Sequence, residues 1–430
     1  MPGKRLLVEI ASYNTNLQGD EGVSQDLVDW LCPTLDVSRV RERKAPDIIA
    51  VGFQELLPLH LGFAGLSNAV INNRNTQILS QIEAHSPSKE RYSLIAKVVN
   101  VGVALLVYGR DDSVARTVCD VQTQWTGCGP AYMGNKGAVG VRFRVPGEDG
   151  GIGEVYTFVC AHLTAHSHEL QRRIHDFHHV VRTLIFPALP FSESRSPTTI
   201  YSTSHLFFFG DLNFRLAIPA SRGLADPSQR SSLVETLTDE EGRRSLRECD
   251  ELLVERDIKG SIFMGLREGE FWRFNCSYKY KLGEVDNFDP KRIPAWTDRI
   301  MYTTFADTPD ASAESSIANL LYTTIPSYTR SDHKPVVALL LLPPSEPTAP
   351  TLPVLQLAPD YHPAPDPLAA IKRYTGRLLD RVLGYVWWAI VLLGAGSTIV
   401  GICNFVLGLG IWGWWNSSWW NSRGQSAEQS

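Results

Sequence analysis

The sequence has few cysteines, no marked excess of charge of either sign, and no long apolar run at its start. Its 430 residues include seven cysteines, widely spaced and without a CxxC pair. This spacing argues against a disulfide framework and a zinc site, and indicates a reducing compartment. With 41 basic and 46 acidic residues, the chain lacks the basic field of a nucleic-acid-binding protein. The start, MPGKRLLVEIAS, is too short in apolar residues for a signal peptide, so we expect none.

Composition divides the chain into a large N-terminal part and a distinct C-terminal part. Residues 1–342 have room for one large domain. Nine prolines between residues 343 and 367 prevent a helix or a sheet ladder, and predict an extended, semi-rigid linker over 343–370. This linker could also be a ligand for a partner protein. Residues 371–385 are basic and roughly amphipathic, which is typical of a segment next to a membrane.

The thirty residues from Val386 to Trp415 contain no charged side chain and have tryptophans at both edges. Since about 20 apolar residues span a bilayer as a helix, this predicts a transmembrane anchor, followed by a short polar tail over 416–430. A hairpin broken near Gly394 and Gly396, or a buried core helix, are the alternatives. Four basic residues precede the span and only Arg423 follows it, so the positive-inside rule predicts a cytosolic domain on the endoplasmic reticulum or another endomembrane.

Within 1–342, strand-like runs alternate with helical ones. Helices are predicted over Leu66–His85, His168–Phe186 and Ser231–Glu255 from the spacing of their apolar residues. This alternation of strands and helices fits an α/β architecture of two packed sheets with helices outside. Alternation in the fifth predicted strand indicates that one of its faces is wet. The predicted strands are Arg5–Ser12, Asp47–Phe53, Tyr92–Lys97, Val101–Tyr108, Ala138–Val145, Val155–His162, His205–Asp211, Arg299–Tyr302 and Pro335–Leu342.

Polar side chains stand at the ends of several predicted strands. The apolar run LFFFGDLNFRL ends in Asp211 and Asn213, which project to the same side because they are two residues apart. A charge at the tip of a buried strand is costly unless it is used. A carboxylate beside an amide suits holding and deprotonating a water next to an anion. An Asx-turn that closes the strand is the alternative.

The same pattern recurs at other predicted strand ends. Taken singly, a cap, a turn or a satisfied core histidine explains each of these residues. Together, in one domain, they predict a shared catalytic cleft. The residues are Asn14, Glu55, His162, Asp298, Asp332 and His333.

These segments resemble the inositol polyphosphate 5-phosphatase family, within the endonuclease/exonuclease/phosphatase superfamily. GDLN and SDH are shared across the superfamily, whereas PAWTDRI and YKY are narrower and point to phosphoinositides. The resemblance implies a four-layer α/β/β/α sandwich of the DNase I-like kind. It also implies removal of the 5-phosphate from phosphoinositides such as phosphatidylinositol 4,5-bisphosphate. The matching motifs, in the family's order, are SYNTN, GFQEL, MGNKGAVGVR, AHLTAH, FFFGDLNFR, YKYKLGEVDNFDPKRIPAWTDRI and SDHKPV.

The resemblance further implies a Mg²⁺-dependent reaction, in which the cation screens and polarises the dianionic phosphate. Glu55, helped by the amide of Asn14, is the expected anchor, because Mg²⁺ prefers oxygen ligands. Asp211 is expected to hold and deprotonate the attacking water. Asn213 is expected to fix the phosphate or the water, and His162 to donate to a phosphoryl oxygen.

The two remaining candidates form a histidine–carboxylate arrangement. His333, oriented and kept charged by a carboxylate such as Asp298, is expected to stabilise the pentavalent state. Asp332 lies next to the same site and is expected to share the metal or orient the water. Which carboxylate serves which histidine stays open at this point.

Substrate preference is expected in a basic and aromatic stretch. A solvated basic turn is the alternative for Lys279–Lys281. The family has a lysine where this chain has Pro290, and Lys291 lies one position later. Tyr278, Lys279 and Arg292 match family positions that contact the neighbouring phosphate, and the displaced Lys291 is a candidate for the same contact. Asn135 and Lys136 of MGNKG are expected at the lipid's linking phosphate.

Two other functions are weighed against this one. A phosphodiesterase of the sphingomyelinase or nuclease kind would share the fold without PAWTDRI or YKY. A tail-anchored protein that binds phosphoinositides without turnover would have lost Glu55, Asp211, Asn213 or His333, and all four are present. The apolar segment Leu56–Phe63 predicts either a membrane-touching rim or the start of a buried helix.

Overall fold

The structure is a computed structural model, and it describes most of the chain. The described residues are 5–20, 30, 45–86, 88–147, 151–190, 195–222, 224, 227–310, 313–345, 352–392, 402–403 and 405–412. They form two six-stranded sheets with helices outside. The predicted two-sheet α/β architecture is therefore confirmed.

The first sheet has the strand order β11-β12-β1-β2-β4-β3. β1 and β2 are parallel, and β12 and β4 flank them in antiparallel pairing. The register Asn14↔Gln54 brings the ends of β1 and β2 side by side. Its strands are β1 (Leu7–Asn14), β2 (Ile48–Gln54), β3 (Tyr92–Asn100), β4 (Val103–Arg110), β11 (Ala318–Thr324) and β12 (Val336–Leu341).

The second sheet repeats this arrangement, with the order β5-β6-β7-β8-β10-β9. β7 and β8 are the parallel pair, with His162 opposite Asp211. β10 runs antiparallel to β8 and begins opposite the same residue, with Asp298 facing Asp211 in the register. Its strands are β5 (Cys119–Gly127), β6 (Gly137–Val145), β7 (Glu154–His162), β8 (His205–Asp211), β9 (Arg267–Glu268) and β10 (Asp298–Thr304).

The core between the sheets explains why their strands read as apolar runs. Ile10 and Leu105 of the first sheet belong to one buried cluster with Phe158 and Phe207 of the second. Both faces of these strands are buried, because a helix covers each outer face. Gly52 of the first sheet lies in close contact with the second, since an added Cβ would be 2.6 Å from the Phe209 ring.

Helices cover the two outer faces of the sheets and complete four layers. The second helix packs Val70, Ile71 and Ile78 on the first sheet. The third packs Phe177 and Val181 on the second sheet, as its helical spacing predicts. The helices are α1 (Leu59–Ala64), α2 (Ser67–His85), α3 (Leu170–Thr183), α4 (Arg230–Thr238), α5 (Glu240–Leu246), α6 (Glu251–Leu253, continued by a π turn, Val254–Ile258) and α7 (Ala369–Leu392).

The structure differs from the sequence analysis in three strands and one helix. β5, β9 and β11 were not predicted, because their burial patterns are irregular or their length is two residues. The helix predicted over Ser231–Glu255 is divided into three, since Asp239 and Asp250 leave the helical conformation and cap the next segments. In each cap the aspartate side chain accepts a hydrogen bond from a backbone N–H.

The prediction of a wet face on β6 is wrong. Eight of its nine residues are buried, and Arg142 is fully covered. Its guanidinium donates to the Thr198 hydroxyl at 2.7 Å and to the Thr199 carbonyl at 2.6 Å. It also lies over the Phe186 ring at 4.3 Å. A buried arginine with these partners gives the same alternating pattern as a solvated one.

The proline-rich segment is extended where it is described, but it packs against the domain. Residues 352–368 contain no helix or strand, as the prolines predict. Leu355 is buried, and its N–H donates to the Thr203 carbonyl at 2.9 Å. The N–H of Asp366 donates to the Arg182 carbonyl at 2.8 Å. Along these residues the segment follows the domain surface, which its composition did not predict.

The C-terminal region begins with a single long helix. α7 joins the predicted basic segment, 371–385, to the first residues of the predicted anchor. No helix among the described residues is both long enough and apolar enough to cross a membrane. Residues 402–403 and 405–412 are helical, whereas 393–401, 404, 413–415 and the predicted tail, 416–430, lie outside the described residues. The predicted transmembrane segment is therefore not supported by this structure and stays a prediction.

Candidate active site

The polar strand ends meet at one edge of the sandwich. β1, β2, β7 and β8 all end there, while β10 and β12 begin there. This topology places six of the predicted residues around one cleft between the sheets. Gly210 precedes Asp211 with φ 136, and its missing Cβ leaves room for the Ala161 carbonyl, to which an added Cβ would be only 2.0 Å away.

Asp211 is the centre of the cluster. Its Oδ2 accepts a hydrogen bond from the Asn14 amide at 2.9 Å and lies 3.2 Å from Nε2 of His162. Nε2 of His333 is 4.0 Å from the same oxygen. Burial opposes ionisation, but the charges of His333, His162 and Lys136 together lower the pKa of Asp211. The carboxylate is therefore held ionised within a nearly dry site.

His333 is paired with Asp298, which lies opposite Asp211 in the register of β10 and β8. The Nδ1 atom lies 2.8 Å from Oδ2 of Asp298, which also accepts from the hydroxyls of Ser277 at 2.7 Å and Thr297 at 2.9 Å. Burial lowers the pKa of His333, but Asp298 and Asp211 outweigh it and raise the pKa to about 9. Burial raises the pKa of Asp298; protonated His333 opposes this and Asp211 adds to it. The imidazole is thus kept charged at neutral pH with Nε2 directed towards Asp211.

Lys136 and His162 form the next contact. The Lys136 ammonium touches Nε2 of His162, which also faces Asp211 and lies 3.8 Å from Oε1 of Glu55. Burial lowers the pKa of Lys136, although the charges of Asp211 and Glu55 oppose this. The structure therefore brings Lys136 to the cluster itself. Its neighbour Asn135 is half-buried next to it.

Glu55 is the most open carboxylate of the cluster, with a side chain 34% exposed. Its φ of 48 is uncommon for a residue other than glycine or asparagine, and such conformations concentrate at functional sites. A second group, formed by Asp211, Asp298 and His333, offers donor atoms within 4.8 Å of one another. However, Asp298 and Nδ1 of His333 already bond each other. Glu55, open to the cleft and beside Asp211, is the carboxylate that fits a divalent cation best.

Asn213 is placed by its backbone and by an arginine. It has φ 59, and its N–H donates to Oδ1 of Asp211 at 3.2 Å. Its Nδ2 donates to the Leu163 carbonyl at 3.2 Å, and its Oδ1 accepts from Arg215. Asn213 therefore lies beside Asp211 because of its backbone conformation and not because of strand alternation, since the strand ends at Asp211. Both polar atoms of its amide bond protein groups, and the role expected for it stays a prediction.

Cations line a cavity of about 290 Å³ next to the cluster. Tyr278 forms its inner wall, with its ring 4.6 Å from the His333 ring and under the Arg215 guanidinium at 4.4 Å. Lys291 and Arg292 stand exposed at its rim, so the displaced lysine still reaches this cavity. The arrangement suits a ligand with an anionic group beyond the one that faces Asp211.

Lys279 and Asp332 bond each other rather than the centre of the cluster. The Lys279 ammonium is 2.8 Å from Oδ2 of Asp332. Burial would lower the pKa of Lys279, but the hydrogen bond and the charge of Asp332 raise it. The Asp332 carboxylate is therefore paired with Lys279, and the role expected for it stays a prediction.

Sequence reasoning did not single out three residues that hold this site together. Ser277 and Thr297 donate to Asp298, and Arg215 connects Asn213 to Tyr278. Thr297 and Arg215 lie inside motifs used for the resemblance, and Ser277 directly precedes one of them. Hydroxyls and an arginine carry no strand-end pattern of their own, so only their contacts identify them.

Two packed sheets that gather carboxylate, imidazole and amide groups at one edge have the architecture of the DNase I-like fold. The chain belongs to endonuclease/exonuclease/phosphatase family 2, whose family model matches residues 11–339. Rat synaptojanin-2 is 29% identical over 367 residues, which are 78% of this chain and 22% of that protein. The chain thus spans about a fifth of the length of that relative.

Two further comparisons agree. The mouse type II inositol 1,4,5-trisphosphate 5-phosphatase is 28% identical over 337 residues, 76% of this chain and 29% of that protein. The crystal structure of a synaptojanin inositol polyphosphate 5-phosphatase domain, in complex with inositol (1,4)-bisphosphate and a calcium ion, matches with a TM-score of 0.59 and 23% identity. It covers 90% of this chain and 92% of that one. The predicted four-layer fold and the predicted superfamily are confirmed.

Proposed function

We propose that this chain is a divalent-cation-dependent phosphatase that removes the 5-phosphate from phosphoinositides such as phosphatidylinositol 4,5-bisphosphate. The observation that carries the proposal is the position of Asp211, held ionised between His162 and His333 beside a cation-lined cavity. A ligand with two neighbouring ring phosphates fits this arrangement, with one phosphate at Asp211 and the other at the cavity. Relatives named as 5-phosphatases support the regiochemistry.

In the proposed reaction Asp211 holds the attacking water and accepts its proton. The carboxylate is ionised, fixed by Asn14, and directed to the cleft. Charged His333 stabilises the negative charge that develops on the pentavalent phosphorus oxygens, and His162 with Lys136 donates to another of these oxygens. Preorganised donors of this kind act strongly because the site is largely buried.

The cation proposed is Mg²⁺, held by Glu55 with help from Asn14. When bound it would supply charge that screens the dianionic phosphate and polarises its phosphoryl group. The Glu55 side chain is exposed enough to bind a cation that keeps several of its water ligands, as Mg²⁺ usually does. The neighbouring ionised Asp211 adds to the negative field that would attract it.

Attachment to a membrane is part of the same proposal. The uncharged segment 386–415 is proposed as a C-terminal anchor in an endomembrane, with the catalytic domain in the cytosol. A protease-protection test on sealed microsomes checks this orientation, because a cytosolic domain is digested and a luminal one is protected. A chain that stays soluble after carbonate extraction would contradict the anchor itself.

Positional isomers test the substrate and the regiochemistry. The full chain in detergent micelles with Mg²⁺ should release phosphate from lipids that carry a 5-phosphate and not from the 3- or 4-monophosphates. Asp211→Asn keeps the shape of the side chain and removes its basic oxygen, so turnover should fall by about three orders of magnitude or more. A wild-type chain that binds these lipids without releasing phosphate would support the binding protein instead.

A further inference from the structure

The C-terminal helix α7 lies directly on two segments that flank the active site. One contains Tyr132 and Gly134, and the other contains Phe63 and Ala64. Gly376, Asp380 and Gly384 are four residues apart, so they share one face, and all three are buried. A Cβ at Gly376 would be 1.9 Å from the Tyr132 carbonyl oxygen, and one at Gly384 would be 2.4 Å from the Ala64 nitrogen. The helix backbone is therefore in contact with both segments, and no other residue type fits at these two positions.

Asp380, between the two glycines, makes the polar contact. Both of its carboxylate oxygens accept from the N–H of Gly134, at 3.1 Å each. Asp380 is only 3% exposed, so this is a desolvated charge that needs its donor. Arg381 donates to the Phe63 carbonyl at 2.6 Å, at the end of α1. These contacts fix α7 in register along its axis as well as in position.

Aromatic and apolar contacts make the docking extensive. The Arg377 guanidinium lies 3.7 Å from the centre of the Trp125 ring, on β5. Leu379 packs on a small cluster of Phe63, Val101 and Met133. In the segment Leu56–Phe63 the two residues at each end are buried and the four between them are half-buried. This favours the start of a buried helix, which is one of the two alternatives considered for it.

The two segments beneath α7 continue into the catalytic cluster. Gly134 precedes Lys136 by two residues, and the Lys136 carbonyl accepts from the Cys128 N–H at 2.7 Å, closing the loop that presents the ammonium to His162. Residue 56, next to Glu55, donates its N–H to the Gly102 carbonyl at 3.1 Å. Val101, beside that glycine, lies under both Gly62 and Gly134. Movement of α7 would therefore shift the positions of Lys136 and Glu55.

We propose that α7 is an internal brace of the active site and that Asp380 is a positioning residue, which acts on the reaction through Gly134 and Lys136. This inference rests on the proposed function of the site. It gives the segment before the proposed anchor a role besides attachment, since residues 369–387 are part of the catalytic unit. The site is complete only when the tail helix is docked.

The test compares full-length variants in detergent micelles, on soluble inositol 1,4,5-trisphosphate with Mg²⁺, so that membrane recruitment does not enter. Asp380→Ala should lower kcat by about tenfold with a smaller change in KM, because a catalytic donor is displaced. Asp380→Asn keeps an acceptor oxygen for Gly134 and should recover most of the rate. Thr375→Ala, on the exposed face of the same helix, is the matched control and should behave as wild type.

A double-mutant comparison separates positioning from general loss of stability. In a Lys136→Met background, Asp380→Ala should cost less than about twofold, since the group it positions is already missing. An equal loss of kcat in both backgrounds, matched by a fall in Tm, would overturn the proposal. If Asp380→Ala does not fold, Asp380→Ser, whose oxygen is one bond shorter, serves in the same comparison.

The outcomes distinguish the brace from the function on which it rests. An active wild-type chain whose Asp380 variants keep the full rate contradicts the brace alone. A wild-type chain that releases no phosphate from any 5-phosphorylated substrate contradicts the proposed function, and the brace with it.

Discussion

Replacement of Asp298 by asparagine should move the alkaline limb of the pH–rate profile to lower pH. In the folded chain Asp298 and Asp211 outweigh burial and raise the pKa of His333 to about 9, from an ordinary value near 6.5. That difference corresponds to about 3 kcal/mol in favour of the charged imidazole. Asp298→Asn removes the nearer of the two carboxylates, which lies at 2.8 Å. Burial, which lowers the pKa of His333, is then opposed by less negative charge.

The expected size of the effect follows from the charged fraction of His333. At pH 7.5 a pKa of about 9 leaves about 97% of the imidazole charged, whereas a value near 6.5 leaves about 9%. Turnover at pH 7.5 should therefore fall by about tenfold for this reason alone, and much of it should return at pH 6. The assay is kcat against pH from 5.5 to 10, on a soluble inositol phosphate with saturating Mg²⁺.

A matched control is available just beyond the other end of the same strand. Asp307 follows β10 at its other end; it is buried, is bonded to Thr304 and lies 3.3 Å from Arg267. Asp307→Asn makes the same change of charge and should lower stability without moving the alkaline limb. If Asp298→Asn lowers the rate equally at every pH, the assignment of His333 as the charged group is refuted.

Stability has a pH dependence with the same origin. Because the pKa of His333 is higher in the folded than in the unfolded chain, the ion pair stabilises the fold fully below pH 6.5. This contribution is lost as the pH rises through about 9. Asp298→Asn should therefore lower Tm more at pH 6 than at pH 10.

Two further variants test the cation and the cavity. Glu55→Gln should raise the Mg²⁺ concentration for half-maximal activity by about tenfold, since an amide replaces the charged ligand; a Mg²⁺ titration with unchanged midpoint would remove Glu55 from that role. Arg292→Ala should raise KM about tenfold for a substrate with neighbouring 4- and 5-phosphates, and much less for one with the 5-phosphate alone. Equal changes in KM for both substrates would show that Arg292 does not contact the neighbouring phosphate.

Much of the fold was accessible from pattern because both faces of the central strands are covered. Long apolar runs such as His205–Asp211 coincide with the strand in the structure. β5 and β11 were not predicted because their faces are unevenly exposed, so their sequences show neither an apolar run nor strict alternation. The prediction of a solvated face on β6 was wrong because Arg142 is buried beside Phe186 and two threonines. Local sequence does not reveal whether an arginine faces water or a buried set of acceptors.

The candidate residues were found by residue type and position; Asp298 was named as an example of a partner for His333, but the pairings were left open. A polar residue after an apolar run is visible in a sequence, and this was enough to select Asp211 and His162. That His333 pairs with Asp298, while Asp332 pairs with Lys279, depends on the register of β10 against β8 and on the loop before β12. Such pairings join residues 35 and 53 positions apart, where spacing carries no information.

By itself, the sequence determined which strands are buried, which of their ends are polar, and that an uncharged segment follows a proline-rich one. These properties are local, because each depends on a few neighbouring side chains and their preference for water. Only the tertiary structure decided which polar ends meet, which of them stay charged, and that residues 352–387 lie on the catalytic domain. Those outcomes depend on burial and on contacts between distant segments, such as Asp380 with Gly134, which exist only once the two sheets and α7 are packed together.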